Sequence, residues 1–474
     1  MMDSVVRLSG ILIQNFKNVR EGYLDFSNRR KDYRTSILGV YGQNGSGKTA
    51  LIDALQLLKY LLCGKPVPQE MVDFVHVDAE YATIKYIFDV NLPEGRYEAF
   101  YEARLKKTDS ITGQNTVLEE EGEEPSLAVF GEVLSYSFEG KGGKIRKSPL
   151  IDTRTERVFL PASKYESLLG KDLRQEMELL VVKKMAASTS RSFLFSRELL
   201  NAVRKQKDVR GEDGELVRHL ALLERLVVYG NYELFVINTS NTGIISMNAL
   251  PLAFKYTDRN HGAVGQIVLP LEAPAVVPAP AVEIVEKVIR NMNIVLEQIV
   301  PGLTISVKKM GGQIMENGEV GCQIQLMSQK NSRGIPLKYE SEGIKKIISI
   351  LQLFIAIYNQ PSITVAIDEL DAGIFEYLLG EMLRILSEKG KGQLIFTSHN
   401  LRPLETIDRG FIAFTTTNPS KRYIRMSNIK DSNNLRDFYF RDIVLGEQDE
   451  EIYEPTNNAE IAMAFREAGE IDVP

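Results

Sequence analysis

The chain has 474 residues, of which 44% are hydrophobic and 25% are charged. This composition is typical of a globular protein, and the length predicts about two to four domains. The formal net charge of −6 argues against a general nucleic-acid coat, which is usually basic overall. Any DNA contact would therefore require a local basic patch.

Several sequence features favour a cytoplasmic protein. The first residues, MMDSVVRLSG, lack the apolar segment of a secretory signal. The longest apolar stretch, Ile347 to Tyr358, is too short to span a membrane and predicts a buried helix. Cys63 and Cys322 lie far apart and show no metal-ligand spacing, so we interpret both as reduced structural residues.

The N-terminal part predicts a strand–loop–helix unit followed by antiparallel β structure. Strands are expected at residues 8–15, 21–26 and 37–41. A glycine-rich turn and an amphipathic helix at about 48–62 follow the third strand. Residues 80–160 contain short runs of alternating apolar and polar residues, which are typical of antiparallel strands.

The middle of the chain predicts a small helical insertion. Leu173, Met177, Leu180 and Val181 recur at helical spacing within residues 165–228, and no long heptad run indicates a coiled-coil arm. The Pro/Ala-rich segment at 272–281 marks a boundary. The expected domains are an N-terminal lobe at 1–164, a helical and mixed insertion at 165–280, a C-terminal lobe at 281–430 and a tail at 431–474.

The C-terminal lobe predicts a parallel sheet. A helix with an apolar stripe begins near Ile284, and strands follow at 303–309 and 320–327. Helices and strands then alternate, which is typical of parallel sheets. Their expected bounds are helix 342–358, strand 363–368, helix 373–388 and strand 392–397, with two further strands at 411–416 and 422–426.

The strongest chemical signal is a phosphate-binding loop between the third strand and the first helix. It comprises Gly42, Gln43, Asn44, Gly45, Ser46, Gly47, Lys48 and Thr49, and it matches the pattern G-x-x-x-x-G-K-[ST] in its required context. Glycines let backbone N–H groups turn toward phosphates, and the helix N-terminus adds partial positive charge. Lys48 is expected to reach the β- and γ-phosphates and Thr49 to bind Mg²⁺. The alternative is a glycine-rich turn that matches by chance.

Three further motifs occur in the C-terminal lobe. A buried strand ends in Asp368 and Glu369, which are expected to hold Mg²⁺ and to activate water. Ser341 and Gly343 begin a helix and could bind a γ-phosphate, although Ser341 alone would be an ordinary helix cap. His399 follows another apolar strand and could sense the same phosphate, although a lone histidine is more often structural.

The order of these motifs resembles that of the ABC ATPases. The opening residues Leu12 to Asn18 resemble the N-terminal strand and basic turn of the SMC/RecF branch. Asp368–Glu381 and Asn434–Arg441 resemble bacterial AAA-type, OLD-like ATPases of anti-phage defence loci. The resemblance implies an α/β fold, namely an ABC/RecF-like P-loop ATPase head with a mixed β-sheet, an antiparallel β subdomain and a helical insertion. It covers about 1–60 and 335–445.

The resemblance also implies a site shared between two copies of the chain. Lys17 would contact ATP, and ATP on the Lys48 loop would meet Ser341 of the second copy in a head-to-tail dimer or a higher homo-oligomer. Asp371 would lie in a loop that crosses this interface. Hydrolysis would be coupled to opening and closing of the dimer.

The chain departs from this family pattern in several places. Ile374 and Phe375 stand where OLD-like relatives often have Leu-His, and no glutamine is identifiable as the usual glutamine loop. The 75 residues after His399 are too few for a Toprim nuclease and contain no Asp-x-Asp signature.

We therefore expect a sensor or scaffold ATPase that controls a separate effector protein. The alternative is a RecF/SMC-like ATPase that binds DNA through basic groups at 141–147 or 204–210, although such groups are more often solvated surface. A transporter ATPase subunit fits least, because no membrane-spanning segment is present.

Overall fold

The protein is described here by a computed structural model. The structure describes residues 4–26, 35–108, 126–140, 143–211, 214–238, 249–257, 262–315, 318–330, 333–426, 434–446 and 448–469. The acidic cluster at 119–124 and the turn residues 141 and 142 of the basic hairpin lie outside these ranges.

The first part of the chain contains mainly strands. Its elements are β1 (Val5–Phe16), β2 (Val19–Asp25), β3 (Ser36–Tyr41), α1 (Lys48–Leu62), β4 (Tyr81–Leu92), β5 (Gly95–Thr108), β6 (Ser126–Gly140) and β7 (Gly143–Asp152). All of them except β3 and α1 form one antiparallel sheet in the order β2-β1-β4-β5-β6-β7. Val6 and Leu8 before a β-bulge in β1, and Ile11 and Ile13 after it, are buried two residues apart, as the period of a strand requires.

The middle of the chain is helical and then returns to strands. Its elements are α2 (Ala162–Leu169), α3 (Leu173–Ser188), α4 (Arg197–Arg210), α5 (Gly214–Val228), β8 (Leu234–Ile237), β9 (Ala249–Thr257) and β10 (Gly262–Pro270). The predicted helices are present, but the apolar spacing on α3 does not mark a core face. Leu173, Met177 and Val181 are exposed, whereas Leu179 and Ala186 are buried.

The last part of the chain alternates strands and helices. Its elements are β11 (Ala275–Pro278), α6 (Ala279–Ile299), β12 (Leu303–Ile314), β13 (Val320–Lys330), β14 (Arg333–Pro336), α7 (Glu342–Asn359), β15 (Thr364–Ile367), α8 (Glu376–Lys389), β16 (Gln393–Thr397), α9 (Pro403–Thr406), β17 (Ile412–Thr415), β18 (Tyr423–Ile424), α10 (Leu435–Leu445) and α11 (Asn458–Gly469). The apolar stretch at 347–358 is part of α7, and most of its side chains are buried. Across the described ranges, no helix is both long enough and apolar enough to cross a membrane.

The central sheet joins strands from all three parts of the chain. Its order is β18-β17-β3-β16-β15-β8, and all its neighbours are parallel except β17 and β18. The predicted parallel sheet is therefore present. β8 is one edge strand of this sheet, so residues 234–237 belong to the central sheet although the expected domain bounds place them in the insertion.

The central sheet separates two apolar cores. Leu38 and Val40 of β3 face the core that contains α1 and the antiparallel sheet. Ile37 and Tyr41 of the same strand face the core that contains α6, α7 and α8. Because both faces are covered, the inner strands are buried along their whole length and are mostly apolar, as β15 (TVAI) illustrates. The predicted α/β fold, with a mixed sheet, an antiparallel subdomain and a helical insertion, is confirmed.

Candidate functional site

The phosphate loop connects β3 directly to the N-terminus of α1. Gly42, Gly45 and Gly47 have φ angles of 151°, 76° and 95°, which L side chains rarely adopt. A Cβ on Gly42 would lie 1.8 Å from Thr415 Oγ1, so the loop and β17 can approach this closely only with glycine there. Ser46 Oγ donates to the Gln43 carbonyl at 2.5 Å and closes the turn.

Lys48 lies within this turn at the start of α1. Its Nζ donates to the carbonyl oxygens of Gly42 and Gln43 at 2.8 and 2.9 Å. Burial lowers the pKa of Lys48, and the carboxylates of Asp368 and Glu369 oppose this shift. The ammonium group therefore lies in the field of the carboxylates that follow β15.

Asp368 and Glu369 are linked to the neighbouring strand through Thr397. Thr397 Oγ1 donates to Asp368 Oδ1 at 2.5 Å and accepts from the Glu369 N–H at 2.8 Å. Glu369 has a φ of 47°, a left-handed conformation that is costly for a residue with a side chain. The hydroxyl of Thr397 therefore helps to hold Glu369 in a strained backbone conformation at the end of a buried strand.

These segments enclose a cavity of about 380 Å³. Its lining combines the phosphate loop, the N-terminal turn and the ends of β15 and β16, namely Lys17, Asn18, Asn44, Gly45, Gly47, Lys48, Thr49, Ala50, Asp368, Glu369, Thr397 and His399. The Thr49 hydroxyl and the Asp368 carboxylate are oxygen ligands of the type that Mg²⁺ prefers. No group of three or more His, Cys, Asp or Glu residues in the described part of the chain forms a metal cage.

The N-terminal turn brings Lys17 to one wall of the cavity. Lys17 Nζ donates to Asp53 Oδ2 at 2.5 Å and lies 4.4 Å from the centroid of the Phe74 ring. Asn238 donates to the other oxygen of Asp53 at 2.6 Å. Burial raises the pKa of Asp53, and the Lys17 ammonium opposes this shift. Sequence reasoning did not identify Asp53, although a carboxylate on the buried face of an apolar helix is unusual.

Ser341, Gly343 and Asp371 do not line the cavity of their own chain. Ser341 caps α7, and its Oγ accepts from the Ile344 N–H at 3.4 Å. A Cβ on Gly343 would lie 2.5 Å from the carbonyl oxygen of Gly373, so this helix start packs tightly against the loop after Glu369. The Asp371 carboxylate accepts from the backbone N–H groups of His399 at 3.3 Å and of Asn400 at 3.0 Å. It therefore fixes the loop that carries His399.

Gln43 connects the phosphate loop to the C-terminal segment. Its side-chain Nε2 donates to the Glu454 carbonyl at 3.4 Å, and its Oε1 accepts from the Glu454 N–H at 2.9 Å. Sequence spacing contained no signal for this contact. In the same region, Tyr423 Oη donates to the Gly47 carbonyl at 2.8 Å.

Residues 11–210 match the family model AAA_23, which is described as an AAA domain. The match includes the phosphate loop and supports a P-loop ATPase domain. It ends before β8 and therefore omits the Asp368–Glu369 and His399 segments. No curated protein sequence matches the chain.

Several solved structures are similar to this chain over most of its length. The Smc head domain of Pyrococcus furiosus bound to the C-terminal domain of ScpA is 12% identical, covering 89% of this chain and 96% of that one, with a TM-score of 0.38. The SMC head domain of Thermotoga maritima is 14% identical, covering 89% and 100%, with a TM-score of 0.34. A RecF structure is 14% identical, covering 88% and 98%, with a TM-score of 0.37. Similarity at this level does not assign a function.

Proposed function

We propose that the protein binds and hydrolyses ATP in the cavity between the phosphate loop and the Asp368–Glu369 pair. The observation that carries the proposal is that Lys48, Thr49, Asp368 and Glu369 line one cavity although the two pairs are more than 300 positions apart. A phosphate-binding loop and a pair of carboxylates in this arrangement are the parts that phosphoryl transfer requires.

Each group has a distinct role in this proposal. Lys48 would hold the β- and γ-phosphates, and Glu369 would orient or deprotonate the attacking water. Thr49 and Asp368 would hold Mg²⁺, which when bound neutralises charge on the phosphate oxygens. Lys17 and His399 would contact the nucleotide from the remaining walls.

The proposed active unit contains two copies of the chain, in a dimer or a larger homo-oligomer. Ser341 and Gly343 lie outside the cavity of their own chain, and the N-terminus of α7 is suited to bind an anion. The ATP site of one chain would therefore be completed by Ser341 of another chain. Asp371 would lie near the interface between them. Residue Asp371 would act mainly by holding the loop of His399.

The first experiment measures phosphate release and molecular mass for the wild type and Glu369→Gln. We expect the wild type to hydrolyse ATP. Glu369→Gln should lose roughly 100-fold or more of this activity, because water is no longer activated, while keeping ATP binding. It should also form a dimer or larger assembly that depends on ATP. An inactive wild type, or a Glu369→Gln variant as active as the wild type, would contradict the proposal.

We further propose that the ATPase controls a separate effector protein, as the similarity of Asp368–Glu381 and Asn434–Arg441 to OLD-like defence ATPases implies. The competing function is RecF-type DNA binding. To distinguish effector control from DNA binding, the ATP-bound Glu369→Gln assembly is mixed with duplex DNA at low and at physiological salt, and the bound DNA is measured. Binding that falls steeply with salt would favour the DNA-binding function. No binding at either salt concentration would favour effector control.

A further inference from the structure

Lys346 is a buried cation close to the proposed site that the functions above do not use. It lies in the second turn of α7, and only 4% of the residue is exposed. Its Nζ donates to the backbone carbonyl of Glu369 at 3.5 Å. Among the residues that the structure describes, it forms no direct ion pair.

The surroundings of Lys346 explain how a lone ammonium is tolerated there. Burial lowers the pKa of Lys346 to about 8, and the carboxylates of Asp371, Glu369 and Asp368 oppose this shift. An unpaired buried charge is costly, so it persists only where neighbouring groups stabilise it. The three carboxylates and the Glu369 carbonyl provide that stabilisation together.

The preceding residue on the same helix has a different environment. Lys345 Nζ pairs with Glu272 at 2.7 Å and with Glu342 at 2.6 Å, and these hydrogen bonds raise its pKa. Successive residues of a helix point about 100° apart, so adjacent lysines can serve different surfaces. Lys345 is tied to carboxylates away from the cavity, whereas Lys346 is directed toward Glu369.

The backbone of Glu369 is held from both sides. Thr397 Oγ1 accepts from its N–H, and Lys346 donates to its carbonyl oxygen. Its φ of 47° is a conformation that persists only when surrounding contacts enforce it, at a cost of about 1–3 kcal/mol. The same carbonyl also accepts from the Ala372 N–H at 3.1 Å, which lies within the loop itself. Removing Lys346 would take away the cation that ties this loop to α7 and would weaken the restraint on the Glu369 backbone.

The same helix begins at the proposed contact with the second copy. Ser341 is five positions before Lys346, and Gly343 packs against Gly373 in the loop after Glu369. Lys346 lies one turn after this contact on the same helix, so a shift of the first turn would be passed on to the contact between Lys346 and Glu369.

We propose that Lys346 is a positioning residue that holds Glu369 in its hydrolytic orientation and couples it to the start of α7. Nucleotide contact at Ser341 in one cavity is thereby transmitted to Glu369 in the other. This inference rests on the proposed ATP hydrolysis and adds a route between the two cavities.

The test compares Lys346→Met, Lys346→Arg and the control Lys345→Met in steady-state ATP hydrolysis, with ATP binding and thermal unfolding measured in parallel. For Lys346→Met we expect kcat to fall about tenfold to hundredfold, because a small misplacement of a reacting group has an effect of this size. The KM and the affinity for ATP should stay within about threefold, since Lys346 does not line the cavity. Lys346→Arg should recover part of kcat, and Lys345→Met should stay within about twofold of the wild type.

Several outcomes would overturn the inference. These are a Lys346→Met variant with wild-type kcat, an equal loss of kcat in Lys345→Met, or a loss of ATP binding in parallel with kcat. If Lys346→Met does not fold, the same criteria apply to Lys346→Gln. A wild type that binds ATP but releases no phosphate would refute the proposed hydrolysis itself. An active wild type with an active Lys346→Met variant would refute only the role of Lys346.

Discussion

The two large sheets differ in strand direction, and this difference determines where the proposed site lies. In the antiparallel sheet, neighbouring strands end at opposite edges, so the residues that follow two adjacent strands are kept apart. In the central sheet, β3, β16 and β15 are parallel, and their carboxyl ends meet at one edge. The phosphate loop, His399 and the Asp368–Glu369 pair follow these three strands. Strand direction therefore brings together groups that are distant in sequence.

Each sheet has an acidic residue that illustrates the difference. Glu132 of the antiparallel sheet is 2% exposed and accepts hydrogen bonds from Tyr101 Oη, Ser192 Oγ and the N–H groups of Phe193 and Leu194. Its carboxylate is enclosed by donors and connects β6 to the helical insertion. Glu132 also lines a cavity of about 380 Å³, but that cavity contains no phosphate-binding loop. Glu369 lines the cavity that contains Lys48 and Thr49, and its backbone is strained. We infer that Glu132 serves stability and that Glu369 serves chemistry.

The largest expected effect tests the central sheet. Lys48→Ala removes the cation expected to hold the phosphates, so ATP affinity should fall by roughly 100-fold, because losing one partner of a buried, hydrogen-bonded charge pair costs about 2–5 kcal/mol of binding free energy. Thermal stability should change little, because among the described residues the hydrogen bonds of this ammonium group go to its own loop, and the attraction of Asp368 and Glu369 is offset by the cost of burying the charge. Titration with a fluorescent ATP analogue measures the affinity. Lys59→Met, at a buried lysine of the same helix, is the control and should bind normally.

The next effect tests the antiparallel sheet. Glu132→Ala leaves four donors without their acceptor, so the free energy of unfolding should fall by about 3 kcal/mol. The rate of ATP hydrolysis per folded molecule should stay unchanged. Urea unfolding followed by circular dichroism measures the stability, and Glu98→Ala, at an exposed position of β5, is the control. A Glu132→Ala variant that loses ATP hydrolysis but keeps wild-type stability would show that the antiparallel sheet also contributes to catalysis.

The smallest effect concerns Lys59, which lies between the two sheets. Its Nζ donates to the Leu234 carbonyl at 2.5 Å, and burial lowers its pKa from 10.5 to about 8, with a smaller opposing effect of Cys63. Below pH 8 the lysine is charged in both the folded and the unfolded state, so the folded protein bears the cost of burying the charge. Between pH 8 and 10.5 the folded state loses this proton first, so the contribution of Lys59 to stability rises with pH.

Lys59→Met should therefore raise the free energy of unfolding at pH 7 by about 1 kcal/mol, since an unpaired buried charge is replaced by an apolar chain. The difference in the free energy of unfolding between Lys59→Met and the wild type should become smaller toward pH 10. Urea titrations at both pH values measure the difference. A difference that does not vary with pH would show that Lys59 keeps an ordinary pKa in the folded protein.

Local patterns predicted much of the fold and of the cavity. Strand alternation and helical spacing located most elements, because these periods follow from backbone geometry. The phosphate-loop pattern and the apolar strand before Asp368 indicated residues that line one cavity. The apolar spacing on α3 predicted the wrong buried face, because Leu173 and Met177 recur at helical spacing but are exposed to solvent.

The remaining features depend on contacts between distant segments. Nothing in the local sequence shows that Lys17 meets Asp53, that Thr397 links Asp368 to Glu369, or that Lys346 is buried. A lysine near a helix start is usually solvated, and only the packing of α7 against the loop after β15 makes this one different. Likewise, the edge position of β8 depends on its pairing with β15, which lies more than 100 residues later.

The position of β3 between β16 and β17 has a consequence for synthesis. Both neighbours of β3 are made roughly 350 residues after it, which corresponds to roughly 20–70 s at common translation rates. The hairpins β4–β5 and β6–β7 have short sequence separations and can form early, whereas the pairings of β3 have a high contact order. The strand before the phosphate loop can therefore take its place in the sheet only after β16 and β17 have been synthesised. If ATP binds as proposed, it would stabilise only molecules whose translation has passed β17, so nucleotide binding would report that the central sheet has formed around β3.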